Sequence, residues 1–269
     1  MRGGLRRGGP RGPRVIGGGE EGAGVPGVEP VHHTIEVVPP WLAPVLGDGE
    51  DPGLTALRRA ASTLDEPLRN PDESAVLVLL GGDAAAQDRP DDALVVLTHR
   101  APTLRRHAGQ MSFPGGRRDP GDRDAVHTAL REAEEETGLR PDAVTPLKVL
   151  DPIDISRTGF AVHPVLAYWH EPHDLHAVDR NETDAVLPVR ISDLVDPANR
   201  IRVGWEGWSG PAFRVGDFVV WGFTGGVLDH LLEGAGWAEP WDDGTVLDLR
   251  ETLARSANRE TFGMDGAKR

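Results

Sequence analysis

The sequence predicts an α/β fold, a single domain in which helices cover the faces of a mixed β-sheet. Short apolar runs rich in branched residues, typical of strands, alternate irregularly with amphipathic helical segments. With 269 residues, of which 38% are hydrophobic, the chain has enough apolar material for a sizeable core. No run approaches 18 consecutive apolar residues, so no transmembrane helix is predicted.

Composition excludes several classes of function. The chain has no Cys, so it can form neither disulfides nor thiolate metal sites, and it has no cysteine nucleophile. The net charge of -14 makes the protein a poor general binder of nucleic acids or anionic membranes. We therefore expect a cytoplasmic protein whose partner is a small molecule. The sequence leaves the oligomeric state open, with a homodimer as one option.

Gly, Pro and Arg dominate residues 1–30, which we interpret as a disordered arm. Residues 31–235 form the predicted folded domain, with an N-terminal lead-in that includes a short amphipathic helix from Leu54 to Leu64. Residues 236–269 are expected to form a C-terminal extension, loosely attached from about Glu239 onward.

The strands of the domain are indicated by their length, branching and flanking turn residues. Ala75–Leu80 and Ala93–Thr98 should form a hairpin with a long connection. The other strands are expected at Phe160–Trp169, Ala185–Val189 and Phe218–Trp221. A last helix is predicted to begin at Gly226 and to end before Gly234 and Gly236.

A helix from Val126 to Glu136 is the most informative segment. Asp122 or Asp124 can cap its start, and Gly138 ends it. An apolar stripe is spaced at helical intervals, which predicts the buried face. It consists of Val126, Ala129, Leu130 and Ala133.

Three glutamates, Glu132, Glu135 and Glu136, share another face of this helix, while Glu134 points to solvent. Like charges at this spacing repel, and the C-terminal half of a helix disfavours anions. A hard divalent cation such as Mg²⁺ or Mn²⁺ would remove the conflict. Arg131 can pair with Glu135 and hold the cluster in place, and the Gly115-Gly116 turn upstream can offer a backbone carbonyl to the same ion.

The segment resembles the box of the Nudix hydrolase superfamily, G-x5-E-x7-R-E-U-x-E-E-x-G-U, where U is aliphatic. The second half of the box is complete, from Arg131-Glu132 through Glu135-Glu136 to Gly138-Leu139. In the first half Asp122 stands in for the first Glu, with a one-residue insertion behind it. The resemblance implies a Nudix fold, an α/β/α sandwich with a mixed β-sheet.

A second signature, immediately upstream, is similar to that of the coenzyme A pyrophosphatase branch, L-L-T-x-R-[SA]-x3-R-x3-G-x3-F-P-G-G. The chain reads Val96-Leu97-Thr98-His99-Arg100-Ala101, then Arg105, Gly109 and Phe113-Pro114-Gly115-Gly116. Only Val96 departs from it. Independently, residues 93–118 contain five Arg and no acid, which favours an anionic ligand.

The resemblance implies an enzyme that cleaves coenzyme A or its derivatives to 3′,5′-ADP and 4′-phosphopantetheine, with Mg²⁺ or Mn²⁺ as cofactor. In this interpretation Glu132, Glu136 and the Gly116 carbonyl bind metal, Glu135 is a ligand or base, and Arg100 and Arg105 bind substrate. Two alternatives stay open. One is a Nudix hydrolase of another nucleoside diphosphate derivative, such as ADP-ribose, a dinucleotide or a nucleoside triphosphate; the other is a non-catalytic nucleotide sensor.

Nudix enzymes commonly carry an additional acid in a loop after the box, as base or ligand. Here the candidates are Asp184, which aligns with the family position, and Glu182 beside it. Trp205 and Trp208 lie in a predicted Gly-rich loop, where they could stack on adenine or anchor the loop hydrophobically.

Overall fold

The computed structural model describes residues 38–46, 73–155 and 160–260 of the chain. The expected arm at 1–30, the helix Leu54–Leu64 and residues 261–269 lie outside these ranges. All described residues belong to one compact unit, His33–Arg269. No helix among them is long and apolar enough to span a bilayer.

Twelve strands and four α-helices make up the described domain. The strands are β1 Ser74–Gly81, β2 Leu94–Arg100, β3 Met111–Ser112, β4 Gly115–Arg117, β5 Val144–Val149, β6 Ile153–Ile155, β7 Phe160–Trp169, β8 Thr183–Arg190, β9 Arg200–Trp205, β10 Trp208–Val215, β11 Phe218–Val220 and β12 Val246–Asp248. The helices are α1 Ala125–Thr137, α2 Ile191–Val195, α3 Gly222–Gly234 and α4 Leu249–Ala254, and 3-10 turns cover Pro40–Leu46 and Pro141–Ala143.

The first sheet is mixed, as predicted. Its main path runs β3-β2-β1-β7-β5, and β4, β6 and β8 pair with β1, β7 and β2 respectively. The pair β1–β7 is parallel, and the other pairs are antiparallel, including the predicted β1–β2 hairpin. The chain thereby brings β4, which leads toward α1, against one side of β1 and places β8 beside β2.

Helices pack on both faces of this sheet. On one face, the apolar stripe of α1 packs with Leu77 and Leu79 of β1 and with Val165 of β7. On the other face, α3 and parts of the second sheet pack with Val78 and Leu80, and Trp41 of the lead-in belongs to the same cluster. The domain is therefore an α/β/α arrangement, in agreement with the expected sandwich.

A second sheet, which the sequence did not predict, has the order β11-β10-β9-β12. The expectation that Trp205 and Trp208 lie in a loop is therefore wrong. The two residues pair with each other at the end of the β9–β10 hairpin. The turn residues Glu206 and Gly207 both have positive φ, 49° and 84°, which is the signature of a tight two-residue hairpin turn.

The expectation of a loosely attached C-terminal extension is also wrong for residues 246–260. Strand β12 pairs in parallel with β9, and Leu249 and Leu253 of α4 are buried against the second sheet. Beyond α4 the chain returns to the first sheet, where the Asn258 carbonyl lies 3.0 Å from His99 Nε2.

Candidate active site

Helix α1 presents the glutamate cluster, and its ends follow from the sequence. Asp124, rather than Asp122, caps the helix by accepting a hydrogen bond from the His127 amide at 2.7 Å. Gly138 ends it in the left-handed conformation at φ 69°, which glycine adopts without strain. The predicted buried stripe faces the sheet, so the glutamates are directed to the side where β4 passes.

Glu136 is the innermost acid of the cluster, with only 5% of its side chain exposed. Its Oε2 accepts a hydrogen bond from the Gly115 amide at 3.1 Å, and its Oε1 lies 3.7 Å from Arg100 Nη1. Burial raises the pKa of Glu136 to about 8, against the opposing effects of the Gly115 amide and Arg100. The carboxylates of Glu132 and Glu182 raise it further, so three acids share one electrostatic environment.

Glu132 lies against the backbone of Gly116. A Cβ atom at Gly116 would be only 2.4 Å from Glu132 Oε2, so a side chain there would displace the carboxylate. Burial raises the pKa of Glu132 as well, and Glu135 and Glu182 add to the rise while Arg131 opposes it. Gly116, whose carbonyl is a predicted metal ligand, therefore lies directly beside Glu132, a predicted carboxylate ligand.

Glu135 lies at the outer edge of the cluster, with 60% of its side chain exposed. As predicted, Arg131 pairs with it, with Nη1 to Oε2 at 3.0 Å. Arg131 also contacts Glu132 at 3.1 Å and donates to the Arg117 carbonyl at 2.9 Å. One guanidinium thus joins two glutamates of the cluster to the chain that leads into α1.

Asp122 binds the Arg131 guanidinium and holds it in place. It is 3% exposed and accepts hydrogen bonds from Arg131 and Thr128 side chains and from the Asp119 amide. Burial alone would raise its pKa, but these hydrogen bonds and the charge of Arg131 hold it below the usual range. Asp122 is therefore built into the support of the site and does not face the cluster as a fourth acid.

The two candidate loop acids have different surroundings. Glu182 acts electrostatically on both Glu132 and Glu136, and its backbone carbonyl accepts a hydrogen bond from Ala101 at 2.9 Å. Asp184, which the family alignment favours, instead pairs with Arg259 and lies 3.4 Å from His99 Nδ1. Of the two acids, Glu182 is the one whose charge raises the pKa of Glu132 and Glu136.

The two arginines predicted to bind substrate also have different surroundings. Arg100, at the end of β2, contacts Glu136, whereas Arg105 is exposed in the loop between β2 and β3. A bulge between β2 and β8 follows His99, which pairs with Ala185, while Arg100 pairs with Thr183. Arg100 therefore lies directly at the bulge, opposite Thr183.

Sequence reasoning missed the contribution of residues 258–260 to this region. Asn258 is fully buried, Arg259 binds Asp184, and Glu260 accepts from Trp221 Nε1 at 2.8 Å. These polar residues follow a helix and show no hydrophobic periodicity. The only signal in the sequence is that three side chains able to form hydrogen bonds stand in a row.

Comparison with known proteins gives consistent findings. A profile described as NUDIX domain matches residues 74–202. The chain is 38% identical over 154 residues to proteins called uncharacterized Nudix hydrolase NudL from Klebsiella pneumoniae and Escherichia coli K12, covering 53% of this chain and 75% of each relative.

Among solved structures, the chain is similar to the Nudix hydrolase RenU of M. smegmatis, with 25% identity and a TM-score of 0.37 over 46% of this chain and 73% of that one. A MutT/nudix family protein from Enterococcus faecalis is 18% identical, with a TM-score of 0.39 and 68% of each chain covered.

Proposed function

Since this chain belongs to the Nudix hydrolase family, we propose that it hydrolyses the pyrophosphate of coenzyme A or its derivatives. Water adds to one phosphorus and the bridging P–O bond breaks, which gives 3′,5′-ADP and 4′-phosphopantetheine or its acylated form. Support for this substrate comes from the upstream signature, Val96 to Gly116, which resembles the coenzyme A pyrophosphatase branch.

The observation that carries the proposal is the contact between Arg100 and Glu136, at 3.7 Å. Arg100 belongs to the upstream signature and Glu136 to the box, so one residue from each motif meets at the same point. A guanidinium beside a cluster of acids is suited to a pyrophosphate that is shared between arginine and a cation. The two motifs thereby act as parts of one site.

The donors present fit Mg²⁺ or Mn²⁺, since both prefer oxygen ligands. Within residues 38–46, 73–155 and 160–260, no three His, Asp or Glu side chains form a ready-made metal cage. That suits Mg²⁺, which keeps several waters and is held by one or two carboxylates together with substrate phosphates. The raised pKa values of Glu132 and Glu136 reflect crowded, partly buried acids, which a cation would stabilise in the ionised form.

Glu132 and Glu136 would hold the ion, with the Gly116 carbonyl beside them. When bound, the ion would neutralise charge on the pyrophosphate and increase the acidity of a water molecule. Glu182 and Glu135 are the residues that could accept the proton of the attacking water. Of these, Glu182 is the stronger candidate because its charge reaches both inner glutamates, whereas Glu135 is engaged by Arg131.

The deciding experiment is a substrate panel with purified protein and Mg²⁺ or Mn²⁺, in which products are identified by mass. Coenzyme A, acyl-coenzyme A, ADP-ribose, a dinucleotide and a nucleoside triphosphate are compared, with Glu132→Gln/Glu136→Gln as the inactive control. We expect 3′,5′-ADP from coenzyme A at the highest kcat/KM. Preferred hydrolysis of another compound would favour the first alternative, and binding without turnover would favour a sensor.

A further inference from the structure

Residues Asn258–Glu260, here called the C-terminal strap, connect the second sheet to the first. The Asn258 side chain bonds both backbone groups of Val219 in β11, with Oδ1 accepting at 2.8 Å and Nδ2 donating at 2.9 Å. The Asn258 carbonyl lies 3.0 Å from Nε2 of the buried His99 in β2. The strap is therefore fixed to both sheets by fully buried polar contacts.

Arg259, the middle residue of the strap, reaches over the start of β8 and binds the carboxylate of Asp184. The second Asp184 oxygen lies 3.4 Å from His99 Nδ1, which forms no hydrogen bond with any described residue, so Arg259 is the residue that binds this carboxylate. Asp184 is also the extra residue of the bulge, since its neighbours Thr183 and Ala185 pair with Arg100 and His99. Strap and bulge are thus joined through one carboxylate.

Two residues of the candidate site, Arg100 and Glu182, lie next to this bulge. Arg100, on its β2 side, contacts Glu136. Glu182, two residues before Asp184, accepts a hydrogen bond from the Ala101 amide and acts on Glu132 and Glu136. A shift of Asp184 would therefore move Glu182 and Arg100 together.

The backbone of Arg259 supports a functional reason for this contact. Its φ is 57°, in the left-handed region that is unfavourable for residues other than Gly, Asn and Asp. Its side chain is 61% exposed, so it adds little to the core. An exposed arginine held in a strained conformation is typical of a position where the side chain itself is needed.

Gly109 of the upstream signature provides a second contact between the strap and the site. Its φ is 75°, and a Cβ atom there would lie 2.2 Å from the Asn258 carbonyl. The strap consequently packs directly on the loop that carries Arg105. The close approach gives a physical reason for glycine at this position of the signature.

We propose that Arg259 is a positioning residue, which fixes Glu182 and Arg100 relative to the glutamate cluster by holding Asp184 at the bulge. The proposal rests on the proposed function, in which Glu182 accepts a proton from the attacking water. It predicts an effect on the chemical step, because the Arg259 side chain acts through Asp184 on Glu182, whereas the strap backbone that packs on Gly109 is kept when the side chain is replaced.

Arg259→Gly and Arg259→Asn test this directly, because both residues tolerate the left-handed conformation and neither carries a guanidinium. We expect a melting temperature equal to or above that of the parent, a kcat lowered by about 10-fold or more, and a KM that rises, through Arg100, by a smaller factor than kcat falls. Arg259→Lys should recover part of the loss, because it keeps the charge. The matched control is Arg255→Ala, which removes an exposed arginine that pairs with Glu251 on α4, away from the site.

Amide hydrogen exchange provides a measurement that does not need activity. In Arg259→Gly the amides of Glu182 and Thr183, which donate to Asp179, should exchange faster, while those of β9 stay unchanged. Parent-like kcat in both variants, or parent-like exchange at Glu182 and Thr183, would overturn the proposal. If the parent hydrolysed no compound of the panel, the proposed function would fail, and the exchange measurement would still decide whether Arg259 holds this segment.

Discussion

Arg131 binds the carboxylate of Asp122 with two hydrogen bonds, from Nε at 3.1 Å and from Nη2 at 2.9 Å. The same guanidinium reaches Glu132 and Glu135 on its other side. A buried aspartate therefore sets the orientation of two acids at the site through a single arginine. Such fork-like pairing holds a guanidinium in one plane more firmly than a single contact would.

Asp122→Ala should lower the free energy of unfolding by about 2–3 kcal/mol, since it removes a charged acceptor from three donors. It should also lower turnover, because Arg131 loses its anchor. Denaturant unfolding with an unchanged slope would measure the first effect. Asp119→Ala is the control, because its side chain is exposed and it contacts Asp122 through its backbone amide and carbonyl, which the substitution keeps. Equal stability of the two variants would contradict the assigned role.

Gly116→Ala should leave the fold intact but displace Glu132, whose flexible carboxylate would lie 2.4 Å from the added Cβ. Added Mg²⁺ or Mn²⁺ should raise the melting temperature of the parent through ligand linkage, and this rise should shrink in the variant. Glu132→Gln/Glu136→Gln should lose most of the same response. A rise in the double variant as large as in the parent would locate the ion elsewhere.

Glu182→Gln should lower kcat by at least about 10²-fold if this group accepts the proton of water, while the fold is retained. Glu135→Gln tests the same role for the acid that Arg131 engages. The two kcat values, measured on folded protein, rank these candidate bases, whereas Asp184→Asn would lower kcat through the lost contact with Arg259 as well and does not enter the ranking. A parent-like Glu182→Gln together with an inactive Glu135→Gln would assign the role to Glu135.

Arg100→Ala should reduce kcat/KM for coenzyme A by roughly 10- to 150-fold, the range for loss of a charge-assisted contact. Arg100→Lys should recover only part of it, because a point charge cannot reproduce the guanidinium fork.

Arg105, exposed in its loop, is the candidate for the 3′-phosphate. In Arg105→Ala the discrimination between coenzyme A and 3′-dephospho-coenzyme A should disappear, with the dephosphorylated compound little affected. Parent-like kinetics of both alanine variants would make these arginines structural.

Glu260 provides a test of stability against pH. Burial raises its pKa in the folded protein, although Trp221, Asn258 and Gln110 donate hydrogen bonds that oppose the rise. A carboxyl whose pKa is higher folded than unfolded destabilises the protein as pH rises from the unfolded value through the folded value. Glu260→Gln should therefore be more stable than the parent at neutral pH, and the difference should vanish below pH 4.5, the ordinary value for a glutamate. If the stability difference between Glu260→Gln and the parent grew as the pH fell, the direction assigned to the pKa shift of Glu260 would be wrong.

The parts of the fold that sequence predicted well are those with strong local patterns. Helix α1 was expected within one residue of each end, because its cap, apolar stripe and final glycine all agree. The central strands β1, β2 and β7 each contain an apolar run, Ala75–Leu80, Leu94–Leu97 and Val165–Trp169, and such runs are hard to mistake when turn residues flank them.

The second sheet was missed because its strands carry mixed signals. Strand β9 alternates arginine with branched residues, and β10 contains Gly210 and Pro211, which are depleted in strands. The Glu206-Gly207 turn has the composition of an ordinary loop. It indicates a hairpin only when the strands on both sides of it are recognised.

At the site, sequence could identify the glutamates, Arg131 and Arg100, because helical spacing and motif position fix them. It could not decide between Glu182 and Asp184, since a bulge reverses the direction in which neighbouring side chains point. Nor could it connect Arg259 to Asp184, because 75 residues separate them and only the tertiary fold brings them together.

The side chain of Asn258 has a consequence for the solubility of the chain. Strand β11 is the edge of its sheet, and an open edge invites pairing with strands of other molecules. Asn258 occupies the N–H and C=O of Val219, so a single amide side chain takes the place that an incoming strand would need. Loss of that side chain would leave the N–H and C=O of Val219 without these hydrogen bonds at the edge of the sheet.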